Sequence, residues 1–215
     1  MILSLCRTLL NLSLLLFVLW TPPVGAQPAL VKDINLLPPS SSPREFVAIG
    51  NITYFVAENG VHGRELWRSN GTAAGTVLFK DIWPGSSGSV PSFLTNVNGV
   101  LYFGANNGVH GAELWRSNGT AVGTFLVKDI RPGSLGSSPS FLTNVNGVLY
   151  FAADNGVNGA ELWRSNGTAA GTVLVKDIRP GNGGSSPSFL TNVNGVLYFG
   201  ANDGVHGAEV WRLAP

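Results

Sequence analysis

The chain has 215 residues, with 13 Lys and Arg against 12 Asp and Glu, and only 12% of it is charged. So sparse and balanced a charge excludes the basic footprint that nucleic-acid binding demands and the polybasic stretch of an electrostatic membrane contact. Glycine is abundant at 28 residues, but it is accompanied by 44% hydrophobic residues, which marks a chain that can bury a core rather than a disordered glycine-rich one.

Residues 1–26 read as a secretory signal. Arg7 gives a positive start, residues 9–20 are apolar apart from Asn11 and Ser13, and Val24-Gly25-Ala26 offers small residues before a cut at Gln27. The apolar run is about a dozen residues, short of the ~20 that span a bilayer; a retained anchor is the alternative. Cys6, the single cysteine, leaves with the signal, so residues 27–215 must hold together without a disulfide. The expectation is a secreted protein, extracellular or periplasmic, with no membrane insertion after cleavage.

The rest of the chain repeats one unit. Residues 80–127 and 128–175 agree at 40 of 48 positions without a gap, and the Glu-Leu-Trp run recurs at Glu65, Glu113 and Glu161, then as Glu-Val-Trp at Glu209. A fixed period of this length signals a solenoid or a propeller.

Within residues 128–187 the turn residues cut out four strands. Residues 140–145 (SFLTNV) meet residues 148–152 (VLYFA) through Asn146-Gly147, a two-residue connection suited to a tight hairpin because both positions tolerate positive φ. A loop over residues 154–159 leads to a third strand at 160–164, and residues 165–171 turn into a fourth at 172–178. The second and fourth are apolar on both faces, as expected of sheets covered on both sides. No stretch beyond residue 26 holds helical periodicity. The fold expected is all-β.

Residues 29–34 align with the fourth strand of a unit, while the chain stops just after a third strand at residues 209–213. These ends suggest a four-bladed β-propeller of 48-residue repeats closed by pairing of the terminal strands, with blades at about 35–79, 80–127, 128–175 and 176–215, the last completed by 28–34. Such pairing removes the open edges that a solenoid must cap. An open β-array and a larger ring built by two chains are the rivals.

ELWRSNGT at residues 65–72, 113–120 and 161–168, together with the GTxLxKDIxPG and NGxLYF runs, resembles the secreted bacterial family named for the ELWxxDGT repeat. The resemblance covers nearly all of residues 27–215 and implies an exported, propeller-like repeat protein without an assigned catalytic activity. Asn70, Asn118 and Asn166 stand where that family has Asp, which weakens any cation-binding role for the position.

Several groups could carry chemistry. Trp67, Trp115, Trp163 and Trp211 suit stacking on sugars or packing between blades. The loops after the second strands offer Asn59 and His62, Asn107 and His110, Asn155 and Asn158, and Asp203 and His206 as ligand-binding candidates. Oxygen-bearing side chains before glycine are similar to calcium loops, but each loop has at most one carboxylate where a hard cation wants six to eight oxygens. Asx turns explain the composition equally, so a metal is left undecided. Lys80, Asp81 and Glu113 recur with their equivalents, unlike a catalytic pair, which occupies one site with separated pKa values. No phosphate loop, serine elbow or cysteine nucleophile is present. Asn51, Asn70, Asn118 and Asn166 fit the N-glycosylation pattern, relevant only in a eukaryotic host.

The sequence therefore points to a secreted, non-catalytic binding or scaffold module that needs no cofactor. Its partner is expected to be an extracellular or cell-surface ligand, with multivalent carbohydrate or surface attachment as the concrete version. A purely structural envelope or matrix protein, and a calcium-binding propeller or enzyme accessory domain, are the alternatives.

Overall fold

Each repeat folds into one antiparallel meander because its turns are written into it. At Asn98-Gly99, Asn146-Gly147 and Asn194-Gly195 both residues take positive φ, for example 51° at Asn146 and 84° at Gly147, as a tight hairpin requires. The structure, a computed structural model, describes residues 27–36 and 40–213. The signal-like segment with Cys6 lies outside the described residues.

The first sheet holds Arg44–Ile49 (β1), Ile52–Glu58 (β2), Arg64–Ser69 (β3) and Val77–Lys80 (β4). The second holds Ser92–Val97 (β5), Val100–Asn106 (β6), Ala112–Ser117 (β7) and Thr124–Lys128 (β8). The third holds Ser140–Val145 (β9), Val148–Asp154 (β10), Ala160–Ser165 (β11) and Val173–Lys176 (β12). The fourth has three strands, Ser188–Val193 (β13), Val196–Asn202 (β14) and Ala208–Leu213 (β15). No helix occurs among the described residues, so none there is long and apolar enough to cross a membrane. The all-β expectation holds.

The sheets stack in chain order. β1 packs on β5, β5 on β9 and β9 on β13, and side-chain amides tie these first strands together. Asn96 Nδ2 donates to Ala48 O at 3.3 Å, Asn144 Nδ2 to Asn96 O at 3.2 Å and Asn192 Nδ2 to Asn144 O at 2.9 Å. Running the other way, the Thr95 hydroxyl donates to Leu142 O at 3.1 Å and that of Thr143 to Leu190 O at 3.0 Å.

The apolar core lies between successive sheets. Leu66 and Ile82 meet Leu101, Phe103 and Trp115; Leu114 and Ile130 meet Leu149, Phe151 and Trp163; Leu162 and Ile178 meet Leu197 and Phe199. Burying each such side chain stabilises by roughly 1.5–3 kcal/mol. The second strands are buried as expected. The fourth strands are not covered on both faces: Phe125 is 44% exposed and Lys176 is exposed, because β8 and β12 are the outermost strands of their sheets.

Among the described residues no strand forms at 27–34 and β15 pairs with β14 alone, so the closure expected through residues 29–34 is not formed there. Lys32 Nζ instead donates to Thr76 O at 2.8 Å, as Lys128 Nζ does to Thr172 O at 2.9 Å, and Ile34 packs on Phe55, Ala57 and Trp67. Ile34 thus covers the first sheet in the way Ile82, Ile130 and Ile178 cover the second, third and fourth.

Candidate functional site

The second and third strands of every sheet are joined by the candidate loop, so all four loops leave their sheets at the same end. Each loop is held by its own side chain. Asn59 Oδ1 accepts from Val61 N and His62 N, both at 3.0 Å. Asn107 Oδ1 accepts from Val109 N and His110 N at the same distance. Asn155 does the same for Val157 N at 3.0 Å and Asn158 N at 2.9 Å, and Asp203 for Val205 N at 2.9 Å and His206 N at 2.8 Å.

The two candidates in each loop also meet each other. Asn59 Nδ2 lies 3.0 Å from His62 Nδ1 and Asn107 Nδ2 lies 3.0 Å from His110 Nδ1. Each asparagine thus holds both the backbone of its loop, through Oδ1, and the imidazole ring, through its amide. In the third loop Asn155 Nδ2 donates to Asn158 Oδ1 at 2.9 Å, and Asn158 Nδ2 donates to Asp177 Oδ2 at 2.7 Å. In the fourth, His206 Nδ1 lies 2.8 Å from Asp203 Oδ2. Hydrogen bonds from the backbone N–H and imidazole of His206, and from Val205 N, hold the Asp203 carboxyl below the usual carboxylate range. The same side-chain bond, helped by the charge of Asp203, raises the pKa of His206.

The structure adds residues that the sequence did not single out. Each loop carries one valine at its tip: Val61 is 63% exposed, Val109 64%, Val157 69% and Val205 81%. Nothing in the core uses them. Beside the loops stands one residue of the preceding connector: the indole of Trp83 lies against Gly108, Arg131 pairs with Asp154 at 2.6 Å, and the Arg179 side chain lies against Gly204. A Cβ at Gly108 would come within 2.7 Å of Trp83 Cε2, so the half-buried Trp83 is an aromatic wall of the second loop. The signal for Trp83 was its departure from Arg131 and Arg179 at the same repeat position.

The other candidates have structural uses. Trp67, Trp115 and Trp163 are 5%, 8% and 6% exposed and fill the spaces between sheets. Glu65, Glu113 and Glu161 are fully buried. Glu113 accepts from Ile130 N at 3.2 Å, Arg131 N at 3.0 Å, Ser137 N at 2.9 Å and Ser137 Oγ at 2.5 Å, and Glu65 and Glu161 take the equivalent set. Burial pushes the carboxyls of Glu65 and Glu113 up, against the pull of these bonds. Every oxygen of these three is occupied by the connector. Lys80 Nζ donates to Ala121 O at 3.1 Å, and Asp81, Asp129 and Asp177 each keep one buried Oδ1 without a partner.

Asn70, Asn118 and Asn166 are exposed, and each Oδ1 accepts from the N–H at 3.1 Å and the hydroxyl at 2.8 Å of the threonine two residues on. Their position is a turn. Asn51 is exposed in the β1–β2 turn. Among the described residues no group of three or more His, Cys, Asp or Glu is placed to hold a metal.

No family model matches the chain and no curated protein matches it. Among solved structures, the crystal structure of a puromycin hydrolase complexed with PGG is similar at a TM-score of 0.54 and 16% identity, over 77% of this chain and 25% of that one. The chain therefore spans about a quarter of that protein's length, and at this identity the likeness shows the fold alone. Stacked antiparallel sheets, repeated at a fixed period and buried against one another, make this an all-β, propeller-like repeat protein.

Proposed function

We propose that the protein is a secreted, non-catalytic module of the ELWxxDGT repeat kind, a propeller-like repeat protein that attaches to an extracellular or cell-surface ligand through its four β2–β3-type loops. The observation that carries this reading is the exposed valine at the tip of every loop. An apolar side chain kept in water at the same place in each repeat contributes nothing to packing, and beside it stand fixed amide and imidazole groups. An apolar contact flanked by hydrogen-bonding groups suits the face of a sugar ring, so a glycan is the ligand class we favour. Trp83 supplies a stacking surface at the second loop.

Repetition sets the affinity. Each loop offers a small contact, and a repeated surface engages several at once, which can raise avidity by ~10²–10⁴ over one site. The buried glutamates, with every oxygen bonded to the connector, have no free face for proton transfer, and this supports the non-enzymatic reading. The test is a glycan array of the chain, run with and without calcium. Binding to a repetitive glycan that persists without calcium is expected; turnover of an array glycan, lost on changing one residue cluster, would overturn the reading.

A further inference from the structure

We infer that a pocket of about 340 Å³ between the second and third sheets binds one neutral pyranose ring with an apolar face, such as a deoxyhexose unit, at a site separate from the four loops. Only the choice of a sugar rests on the glycan reading above; the pocket stands without it. Its volume is within the ~300–1,000 Å³ of small-molecule sites.

The pocket lies at the loop end of the sheets, where the start of β5 pairs with the end of β6 and Ser92 stands opposite Gly104. Gly104 is its floor. Val56 and Ala152 hold the same register position in the first and third sheets, opposite Leu66 and Leu162 as Gly104 is opposite Leu114, and both are buried. A Cβ at Gly104 would come within 3.2 Å of Ser92 Oγ and 3.3 Å of Pro139 O, so the methyl that Gly104 lacks leaves its space to the pocket.

One wall is Val90, which stands where the other repeats have Ser42, Ser138 and Ser186. Those serines have φ of 44° to 51°, and Val90 keeps the conformation at 47°, its N–H donating to Arg64 O at 3.0 Å. A β-branched residue at positive φ is a genuine outlier. Val90 is nevertheless 47% exposed and joins no core cluster among the described residues. Strain held at a residue that packing does not use points to a ligand. The other wall, Phe93, repeats the pattern with φ 55° and 38% exposure, and its ring rests 5.7 Å from that of Phe141, tilted by 44°.

The lining selects the occupant. No charged side chain contributes to it, so the ligand is neutral. The Phe93 ring and Val90 offer an apolar surface for one face of a ring. Ser92, Ser138 and Ser140 bring three hydroxyls that no other group bonds among the described residues, and a few polar groups in an apolar pocket fix a ligand's orientation. A pyranose whose hydroxymethyl is reduced to methyl has both an apolar face and several edge hydroxyls. A phenol has a single polar group for three serines.

An NMR titration of the full chain with methyl α-L-fucopyranoside tests this, with phenol and methyl β-D-glucuronide as comparison probes. Saturable binding of the deoxyhexoside is expected, with amide shifts at Ser92, Phe93, Gly104 and Ser140, weaker binding of phenol and none of the glucuronide. Gly104→Ala supplies the methyl that Ala152 carries in the third sheet, and Val90→Ser restores the residue of the other repeats, so circular dichroism should show both folded. Each should lower the affinity about tenfold or more, as one misplaced methyl does in an apolar pocket. No binding of the deoxyhexoside, a preference for phenol, or an affinity unmoved by both substitutions would overturn the inference. Shifts confined to the loops would overturn it too and leave the loop reading standing. Retention on a glycan-coated surface is a separate readout, so the loop reading can fail with the pocket intact.

Discussion

Ser137 donates its hydroxyl to the Glu113 carboxylate at 2.5 Å across 24 residues of sequence, and the same bond joins Ser89 to Glu65 and Ser185 to Glu161. The carboxylate thereby fastens the connector after the fourth strand to the middle of the sheet. Glu113→Gln puts an amide NH₂ against backbone N–H groups, and an orphaned buried donor costs about 1–3 kcal/mol. We expect a lower urea midpoint at unchanged slope. Glu209→Gln, where the carboxylate is exposed, should leave stability unchanged.

The first strands should be separately measurable. Thr143→Val removes a hydroxyl whose one proton is shared between Phe141 O at 2.9 Å and Leu190 O at 3.0 Å, with little change in volume, and we expect a loss of about 1 kcal/mol by urea titration. Thr191, whose hydroxyl bonds only to Phe189 O in its own strand, should tolerate the same change with a smaller loss.

Gly136 permits the connector to touch the third strand. A Cβ there would lie 2.3 Å from Ala112 N, and its φ is +68°, so Gly136→Ala should cost about 1–3 kcal/mol by overpacking with backbone strain added. Gly133, φ +106° with nothing within 4 Å of a Cβ, should lose less. Thermal melts of the two variants make the comparison.

The fourth loop predicts a pH dependence. His206 should titrate above its ordinary 6.5 because Asp203 favours the imidazolium, and Asp203→Asn should bring it down in an NMR titration. The sign follows from linkage. The contribution of His206 is fully present below 6.5 and is lost as pH rises through its raised folded value. That of Asp203, whose pKa is depressed, is present above its ordinary 3.8 and is lost as pH falls through the folded value.

What the sequence showed and what it hid divide by range. The strand at residues 140–145 coincides with β9, and the next, expected to stop at residue 152, runs to Asp154, since Asn-Gly turns and apolar runs are local signals. The fourth strand, expected at 172–178, is shorter at Val173–Lys176: Lys176 is the last residue paired with β11, and the chain beyond it donates Ile178 N and Arg179 N to the Glu161 carboxylate instead. Phe93, Phe141 and Phe189 take φ of 54–55° inside first strands, at register shifts that no propensity for phenylalanine announces. The loop candidates were legible as Asx turns, but the glutamate cap joins residues 17 to 24 apart and the asparagine ladder joins residues 48 apart. Those partners become visible only when sheets are stacked. The exposed valines were hidden for the opposite reason, since an apolar residue in a turn does not say which way it faces.

The most direct test of attachment through the loops is retention of the chain on a glycan-coated surface, compared with a variant carrying Val61→Ser, Val109→Ser, Val157→Ser and Val205→Ser. These side chains are exposed and the Asx turns beneath them are left intact, so the melting temperature should not move. The account predicts that apparent affinity falls by ~10²–10⁴, the gain that multivalency supplies. Retention equal to that of the unsubstituted chain would contradict it.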